Sequence, residues 1–217
     1  MTDDTRPVLY SFRRCPYAMR GRMAIAEAGI SVRLREILLR DKPDEMLAAS
    51  AKGTVPVLIL PDGHVVDESL DVMHWALEQS DPSGWLSADR DQTNALIEEN
   101  DGIFKHHLDR YKYSTRYEDA DAETHRSAGF DILKRWDELL SAHGQFFGAA
   151  PTLADIALFP FVRQFRIADP AWFDAADLPA LQGWLSGHMD SDRFKAIMTK
   201  HPLWKETGEE SDFPIAA

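Results

Sequence analysis

The sequence predicts an α/β domain over residues 1–80, a linker over residues 81–88 and an all-α domain over residues 89–217. Up to residue 80, short apolar runs alternate with segments of helical periodicity. Ser80-Asp-Pro-Ser-Gly84 is then typical of a linker by composition. Beyond it the apolar residues follow helical spacing, and no segment has the pattern of a strand. A chain of 217 residues is long enough to bury a core without a metal or a disulfide.

The first domain begins with a strand and continues as an alternation of helices and strands. In chain order, the predicted elements are a strand at 8–12, a helix at 16–28 that ends at Gly29, a strand at Val32 and Leu34, a short helix at 43–49, a strand at 57–60, a turn at 61–64, a short strand at 65–66 and a helix beginning at 67–69. A strand–helix–strand unit followed by a β-hairpin and a helix is the thioredoxin-like layout, in which helices cover a mixed sheet.

The second domain is predicted to contain long helices over 91–117 and 121–143, a helix starting at Thr152, and shorter helices over 177–188 and 191–199. The tail from Glu206 is polar, and we expect it to be loose.

The helix that starts at Thr152 should lie in the middle of the bundle, because Asp155 is its only polar residue from Leu153 to Val162. Thr152 is placed at the N-cap and Asp155 at N3, so each side chain can bond the other's backbone N–H as a capping box. We interpret Asp155 as structural, with a catalytic role as the alternative.

The charge and composition of the chain disfavour several classes of function. The chain has 24 Lys and Arg against 36 Asp and Glu, a net charge of −12, which disfavours binding to nucleic acid or to a membrane surface. No apolar run is long enough to span a membrane, and the first residues lack the pattern of a secretory signal. A single cysteine fits a reducing compartment, so we expect a cytoplasmic protein.

Cys15 is the one cysteine, and it stands where the first strand passes into the first helix. Pro16 is favoured at the first helical position, which makes Cys15 the N-cap. Its sulfur is then expected to face the N–H groups of Tyr17 and Ala18, and helix N-termini lower cysteine pKa values to about 3.5–7.5. The nearby basic residues act in the same direction: Arg13, Arg14, Arg20 and Arg22. We expect a reactive thiolate, with a buried inert cysteine as the alternative. Since position 18 is Ala, any disulfide exchange requires an external thiol.

Two further segments suit a small anionic ligand that carries a thiol. Pro56 should precede a central strand, and a cis Val55–Pro56 bond would turn the backbone N–H and C=O of Val55 towards an extended peptide. Asp67-Glu68-Ser69 is a helix start, where N–H groups and a hydroxyl can hold a carboxylate. Ordinary helix capping is the alternative for both segments.

Five motifs in this order resemble the cytosolic glutathione transferases, and the resemblance covers essentially the whole chain. They are Tyr10-Ser-Phe-Arg-Arg-Cys-Pro-Tyr-Ala18, Lys42-Pro43, Thr54-Val-Pro-Val57, Glu68-Ser69 and Thr152-Leu-Ala-Asp155. The first is most similar to the omega-like branch, which uses a cysteine. The resemblance implies the glutathione transferase fold: a thioredoxin-like domain followed by a helical one.

The same resemblance implies a glutathione site. Cys15 would form a mixed disulfide with glutathione, and Lys42 would hold its glycyl carboxylate. Val55, before Pro56, would pair with the backbone of the cysteinyl residue of glutathione, while Glu68 and Ser69 would bind its γ-glutamyl end. Tyr10 and Ser11 stand where other branches keep an activating hydroxyl and are secondary candidates.

The second domain adds weaker candidates. Phe104, Leu108 and Tyr111 form a helical stripe that we expect to pack in the core; the alternative is that its edge, with Tyr17, lines a cosubstrate pocket. His106 and His107, together with Glu98, Glu99 and Asp101, resemble a set of metal ligands, but the two adjacent histidines diverge by about 100° around the helix axis. We interpret them as a solvated face and predict no metal.

The function implied is that of a glutathione-dependent thiol transferase or reductase of the omega-like type. The Cys15 thiolate would attack a glutathione mixed disulfide or an electrophilic glutathionyl adduct, and a second glutathione would release it. Glutathione is thus the expected cosubstrate, with a small electrophilic or disulfide substrate as partner. The only support for a homodimer is the resemblance to this family. A noncatalytic protein of the same fold, binding hydrophobic ligands or a protein, is the alternative.

Overall fold

The computed structural model describes residues 5–214, which form two compact units. One unit contains residues up to Ser83 together with the segment from Ser191, and the other is Gly84–Asp190. The first break between the units lies inside the predicted linker 81–88.

The first unit is a mixed β-sheet with helices, as the element order predicts. Its N-terminal part consists of β1 (Val8–Ser11), α1 (Pro16–Ala28), β2 (Val32–Glu36), α2 (Asp44–Ala49), β3 (Val57–Ile59), β4 (Val65–Val66) and α3 (Ser69–Leu77). The strand order is β4-β3-β1-β2-β5, where β5 (Ser211–Phe213) comes from the C-terminal end of the chain. β1 and β2 are parallel and the other neighbours are antiparallel. The thioredoxin-like layout is therefore confirmed.

Helix α1 begins and ends where its sequence indicates. Pro16 occupies its first turn, and Gly29 ends it with the left-handed φ of 68° that glycine adopts most readily. A Cβ on Gly21 would lie 3.1 Å from Cγ1 of Val72 and 3.5 Å from Cγ of Pro56. Glycine at position 21 thus lets α1 lie close to both α3 and the turn before β3.

The second unit is helical over its whole length. Its helices are α4 (Arg90–Glu99), α5 (Lys105–Lys112), α6 (Ala122–His143), α7 (Leu153–Ala168), α8 (Pro170–Ala175) and α9 (Pro179–Asp190). The predicted helix 91–117 was wrong in two respects. A π-helical stretch, Asn100–Phe104, lies between α4 and α5, and α5 ends before Tyr113, whose φ of −125° and ψ of 38° leave the helical region. The short helix α8 was not predicted.

Helix α7 is buried on nearly all sides, and its capping box is confirmed. The Asp155 carboxylate is fully buried and accepts hydrogen bonds from the backbone N–H of Thr152 (2.7 Å) and from its hydroxyl (2.8 Å). It also accepts from the N–H of Phe146 (3.1 Å) and from Nε1 of Trp184 (3.0 Å). Four donors on three segments therefore meet at one carboxylate, which agrees with a structural role.

The C-terminal segment differs most from the sequence expectation, which placed 191–217 in the all-α domain. Helix α10 (Asp192–Ile197) packs against α1, and after α11 (Trp204–Thr207) the chain adds β5 to the edge of the sheet. The tail that we expected to be loose is thus paired with β2 as far as Phe213, which is buried. β5 was not predicted because three residues are too few to show the alternation of a strand. Its pairing with β2 is supported by ion pairs of Glu210 with Arg33 and Arg35.

Within residues 5–214, the structure has no helix with the length and apolar character required to cross a lipid bilayer.

Candidate active site around Cys15

Cys15 is half-buried at the N-cap of α1, with an extended backbone (φ −72°, ψ 124°). This placement agrees with the sequence prediction. Its side chain makes no helix-capping hydrogen bond; instead, Sγ lies 3.8 Å from the carbonyl oxygen of Val55, to which the thiol donates. The sulfur thus faces the loop before β3 rather than the N–H groups of Tyr17 and Ala18 that we expected.

A buried guanidinium provides positive charge close to the thiol. Arg22, 1% exposed, donates to the Ser11 hydroxyl (2.5 Å) and to the carbonyl oxygen of Arg13 (2.6 Å). Burial lowers the pKa of Arg22 to about 10, while the nearby charges of Glu36 and of a Cys15 thiolate act to raise it. The interaction is reciprocal, so Arg22 favours the thiolate form of Cys15.

The other three arginines of this segment have different partners. Arg13 donates from its side chain to the carbonyl oxygen of Met198 (3.3 Å), and Arg14 is exposed over the ring of Phe12. Arg20 is fully buried, lies over the ring of Tyr17 and donates to the hydroxyl of Ser69 at 3.4 Å. Arg20 therefore links α1 to the start of α3, a connection that the sequence does not show.

The two alternative hydroxyls are both buried and occupied. Arg35 donates to the Tyr10 hydroxyl at 2.5 Å, and burial raises the pKa of Tyr10. Ser11 is fully buried and accepts the hydrogen bond from Arg22. Neither hydroxyl has the exposure of Cys15, so the thiol is the better nucleophile in this part of the chain.

The loop before β3 brings Val55 next to the thiol and passes close to Lys42. Pro56 directly precedes β3, as the sequence predicts. The Val55–Pro56 bond is cis, which the sequence alone does not establish. Lys42 is half-buried, and its Nζ would lie 3.3 Å from a Cβ placed on Gly53. Gly53 has a left-handed φ of 61°, so its missing side chain serves both the turn and the close approach of Lys42.

The start of α3 carries the remaining predicted residues. Glu68 is the N-cap, and Ser69 is the first helical residue and is buried. Lys52 forms ion pairs with Asp67 (3.0 Å) and Glu68 (2.5 Å), which raise the pKa of Lys52, and the pKa of Asp67 is lowered by Ser50 and Lys52. Sequence reasoning missed Lys52 because its partners lie 15 and 16 residues further along the chain.

The stripe on the second unit has the environment of a core. Phe104 exposes none of its surface and packs on Trp136 and Phe165, with ring centroids 4.9 and 5.7 Å away. Leu108 is also buried, whereas Tyr111 is half-buried against Phe165. Core packing, our first interpretation, accounts for Phe104 and Leu108; a pocket lined by Tyr111 and Tyr17 stays a prediction.

Comparison with known proteins gives the same family for both parts of the chain. A family model described as "Glutathione S-transferase, N-terminal domain" matches residues 9–84, and one described as "Glutathione S-transferase, C-terminal domain" matches residues 94–186. The chain is 26% identical over 206 residues to glutathione S-transferase omega-1 of Mus musculus, covering 93% of this chain and 82% of that protein.

Solved structures show the same fold at low sequence identity. A glutathione transferase family member from Pseudomonas fluorescens with two glutathione molecules bound has a TM-score of 0.77 at 19% identity, over 91% of this chain and 94% of that one. A glutathione transferase from Pseudomonas putida with one glutathione disulfide per subunit has a TM-score of 0.76 at 19% identity, over 93% and 94%. Because the two family models together span most of the residues from β1 to α9, this chain belongs to the glutathione S-transferase family.

Proposed function

We propose that this protein is a glutathione-dependent thiol transferase or reductase in which Cys15 forms a mixed disulfide with glutathione. The observation that carries the proposal is the position of the Cys15 sulfur. It lies half-buried at a helix N-cap, 3.8 Å from the backbone of Val55 and close to the buried charge of Arg22. A thiol placed in this way is polarised towards the thiolate, which is the form that attacks disulfides.

In the first half-reaction the Cys15 thiolate attacks a sulfur of a glutathione mixed disulfide. The bond from Sγ to the glutathione sulfur forms as the substrate disulfide breaks, and the displaced substrate thiolate takes a proton from solvent. In the second half-reaction the thiolate of a second glutathione attacks the glutathionyl sulfur. Glutathione disulfide leaves, and the Cys15 thiolate is regenerated. In the net reaction one glutathione thiol is oxidised for each mixed disulfide reduced, and the other half of the glutathione disulfide comes from the glutathionyl group of the substrate.

Glutathione would be held by Cys15 together with four other residues of the first unit. Lys42 would bind the glycyl carboxylate, and the backbone N–H and C=O of Val55 would pair with the cysteinyl residue. Glu68 would bind the γ-glutamyl ammonium, and the N-terminus of α3 at Ser69 its carboxylate. Lys52 pairs with Glu68, so the ammonium of glutathione would share this carboxylate with Lys52. The Pseudomonas relatives with bound glutathione and glutathione disulfide support this class of ligand.

Transfer through a cysteine is favoured over aromatic conjugation by the same geometry. Conjugation needs a donor that stabilises the glutathione thiolate without bonding to it. The hydroxyls of Tyr10 and Ser11 are committed to Arg35 and Arg22. The Cys15 thiol beside Val55 would instead take the glutathionyl group from a disulfide.

Removing either proposed binding charge should weaken glutathione binding. We expect Lys42→Ala and Glu68→Gln each to raise the dissociation constant at least tenfold, because a charge-assisted hydrogen bond contributes about 1.5–3 kcal/mol. The thermal midpoint should change little, since both side chains retain solvent contact. Isothermal titration calorimetry with reduced glutathione measures the effect. Lys205→Ala is the control, because this exposed lysine pairs with Asp41, next to Lys42. Unchanged affinity in both site variants would contradict this binding site.

The reactivity of Cys15 should depend on pH as expected for a stabilised thiolate. The rate of alkylation by iodoacetamide should rise through a midpoint clearly below the reference thiol pKa of about 8.5. Arg22→Gln should raise that midpoint, because a buried positive charge near the thiol is lost. Arg14→Ala, which removes an exposed arginine, should have a smaller effect that added salt weakens. A wild-type midpoint at or above about 8.5 would mean that Cys15 is an ordinary thiol.

A further inference from the structure

Three histidines of the second unit converge at a place that the thiol chemistry does not use. His106 and His107 lie on α5 and His125 lies near the start of α6, two helices that pack together. Each histidine offers a ring nitrogen, and the three nitrogens lie within 4.8 Å of one another. The Nδ1 atoms of His107 and His125 are only 2.9 Å apart. The cluster therefore presents three imidazole donors to one small volume.

We propose that His106, His107 and His125 bind one divalent transition-metal ion of the Zn²⁺ class, which joins α5 to α6. Imidazole nitrogens are preferred ligands of Zn²⁺ and its neighbours in the first transition series. Three protein ligands would leave the fourth position of a tetrahedral ion open to water. This site is independent of the proposed glutathione chemistry.

The separations fit such an ion after small side-chain movements. Zn²⁺ binds histidine nitrogen at about 2.0–2.1 Å with tetrahedral angles, so two nitrogens on one ion are about 3.4 Å apart. The His107–His125 pair at 2.9 Å would open slightly. The widest separation, at most 4.8 Å, would close by about 1.5 Å, which rotation of a side chain provides. His106 is exposed and the other two are half-buried, so an ion can enter from solvent.

The charges around the cluster both favour and oppose a cation. Partial desolvation of the ring first, and then the neighbouring Arg110 and His125, lower the pKa of His106, while Asp109 acts in the opposite direction. Burial likewise lowers the pKa of His107, with His106, His125 and Arg110 contributing. The charged groups beside the cluster are thus Arg110, which opposes a cation, and Asp109, which favours one.

Arg110 opposes binding in a specific way. Its Nη1 lies 3.0 Å from Nδ1 of His106, so Nδ1 acts as the acceptor of a guanidinium N–H. If the ion binds Nδ1, it displaces this donor. If the ion binds Nε2, the proton of the neutral ring moves to Nδ1, which then no longer accepts. Either way the Arg110–His106 hydrogen bond is lost, and removing Arg110 should strengthen metal binding.

The test is a metal titration of the full-length protein, prepared without a purification tag and treated with chelator. We expect one equivalent of Zn²⁺ to saturate the site in calorimetry. Co²⁺ should give the visible absorption of a tetrahedral complex, which one equivalent of Zn²⁺ abolishes. His107→Gln and His125→Gln should each weaken the affinity at least tenfold, and Arg110→Gln should strengthen it. If one histidine variant fails to fold by circular dichroism, the other and His106→Gln decide the question.

Two controls separate this site from other metal ligands of the chain. His143 lies on α6, about five turns (about 27 Å) beyond His125 on the same face, so His143→Gln should bind metal like the wild type. Cys15→Ser should also keep the affinity, since the thiol is not a ligand of this site. The proposal is overturned if no saturation occurs near one equivalent, if the affinity is unchanged in the folded cluster variants, or if binding is lost in Cys15→Ser.

Discussion

Cys15→Ser should lower the rate of glutathione-dependent disulfide reduction by about 10³-fold or more, as loss of a catalytic nucleophile does in other enzymes. Serine keeps the size and N-cap character of the residue, so α1 and the fold should persist. Its hydroxyl is too weakly acidic to replace a thiolate near neutral pH. The rate is measured with a glutathionylated model disulfide, with glutathione disulfide as the product followed.

The matched control for this substitution is Tyr10→Phe. The Tyr10 hydroxyl is buried and accepts from Arg35, so its loss should leave the rate close to that of the wild type. If Cys15→Ser keeps the wild-type rate, or if Tyr10→Phe loses activity while Cys15→Ser keeps it, the hydroxyl becomes the activating group and the thiol mechanism is wrong.

Asp155→Ala should be the most destabilising single substitution that we predict. It removes the acceptor of four hydrogen bonds inside the second unit and leaves donors of Phe146, Thr152 and Trp184 buried. Because each unsatisfied buried donor costs about 1–3 kcal/mol, we expect the free energy of unfolding to fall by about 3–5 kcal/mol. Equilibrium unfolding in urea, followed by circular dichroism, measures this loss.

Asp121→Ala provides the comparison, because Asp121 caps α6 in a similar way but at the surface. Its carboxylate accepts from the N–H of Glu123 and from the hydroxyl of Thr124. Water can replace it as an acceptor, so the loss of stability should be several times smaller than for Asp155→Ala. If the two variants lost the same free energy of unfolding, the burial of Asp155 would contribute little to stability.

The part of the first unit from β1 to α3 was predictable almost element by element, because its signals are local. Pro16 and Gly29 mark the ends of α1, and apolar alternation marks β1 and β2. The same holds for the Thr152–Asp155 capping box, whose two residues are three apart. What could not be predicted depends on pairing across long separations. β5 is recognisable only once β2 lies beside it, and only three residues take part.

The candidate site shows the same division between local and tertiary signals. The position of Cys15 follows from Pro16, whereas the contact of its sulfur with Val55 and the burial of Arg22 depend on packing. His106 and His107 diverge when α5 is considered alone, and the third imidazole comes from α6. A sequence pattern confined to one helix cannot show such a cluster.

The mass of the intact protein after incubation with glutathione disulfide tests the central proposal most directly. We predict one glutathionyl group per chain, located on Cys15 by peptide mapping, removed by excess reduced glutathione and absent from Cys15→Ser. A protein that binds glutathione in calorimetry but gains no adduct, or that gains one which reduced glutathione does not remove, would contradict transfer through Cys15. The noncatalytic alternative would then account better for this chain.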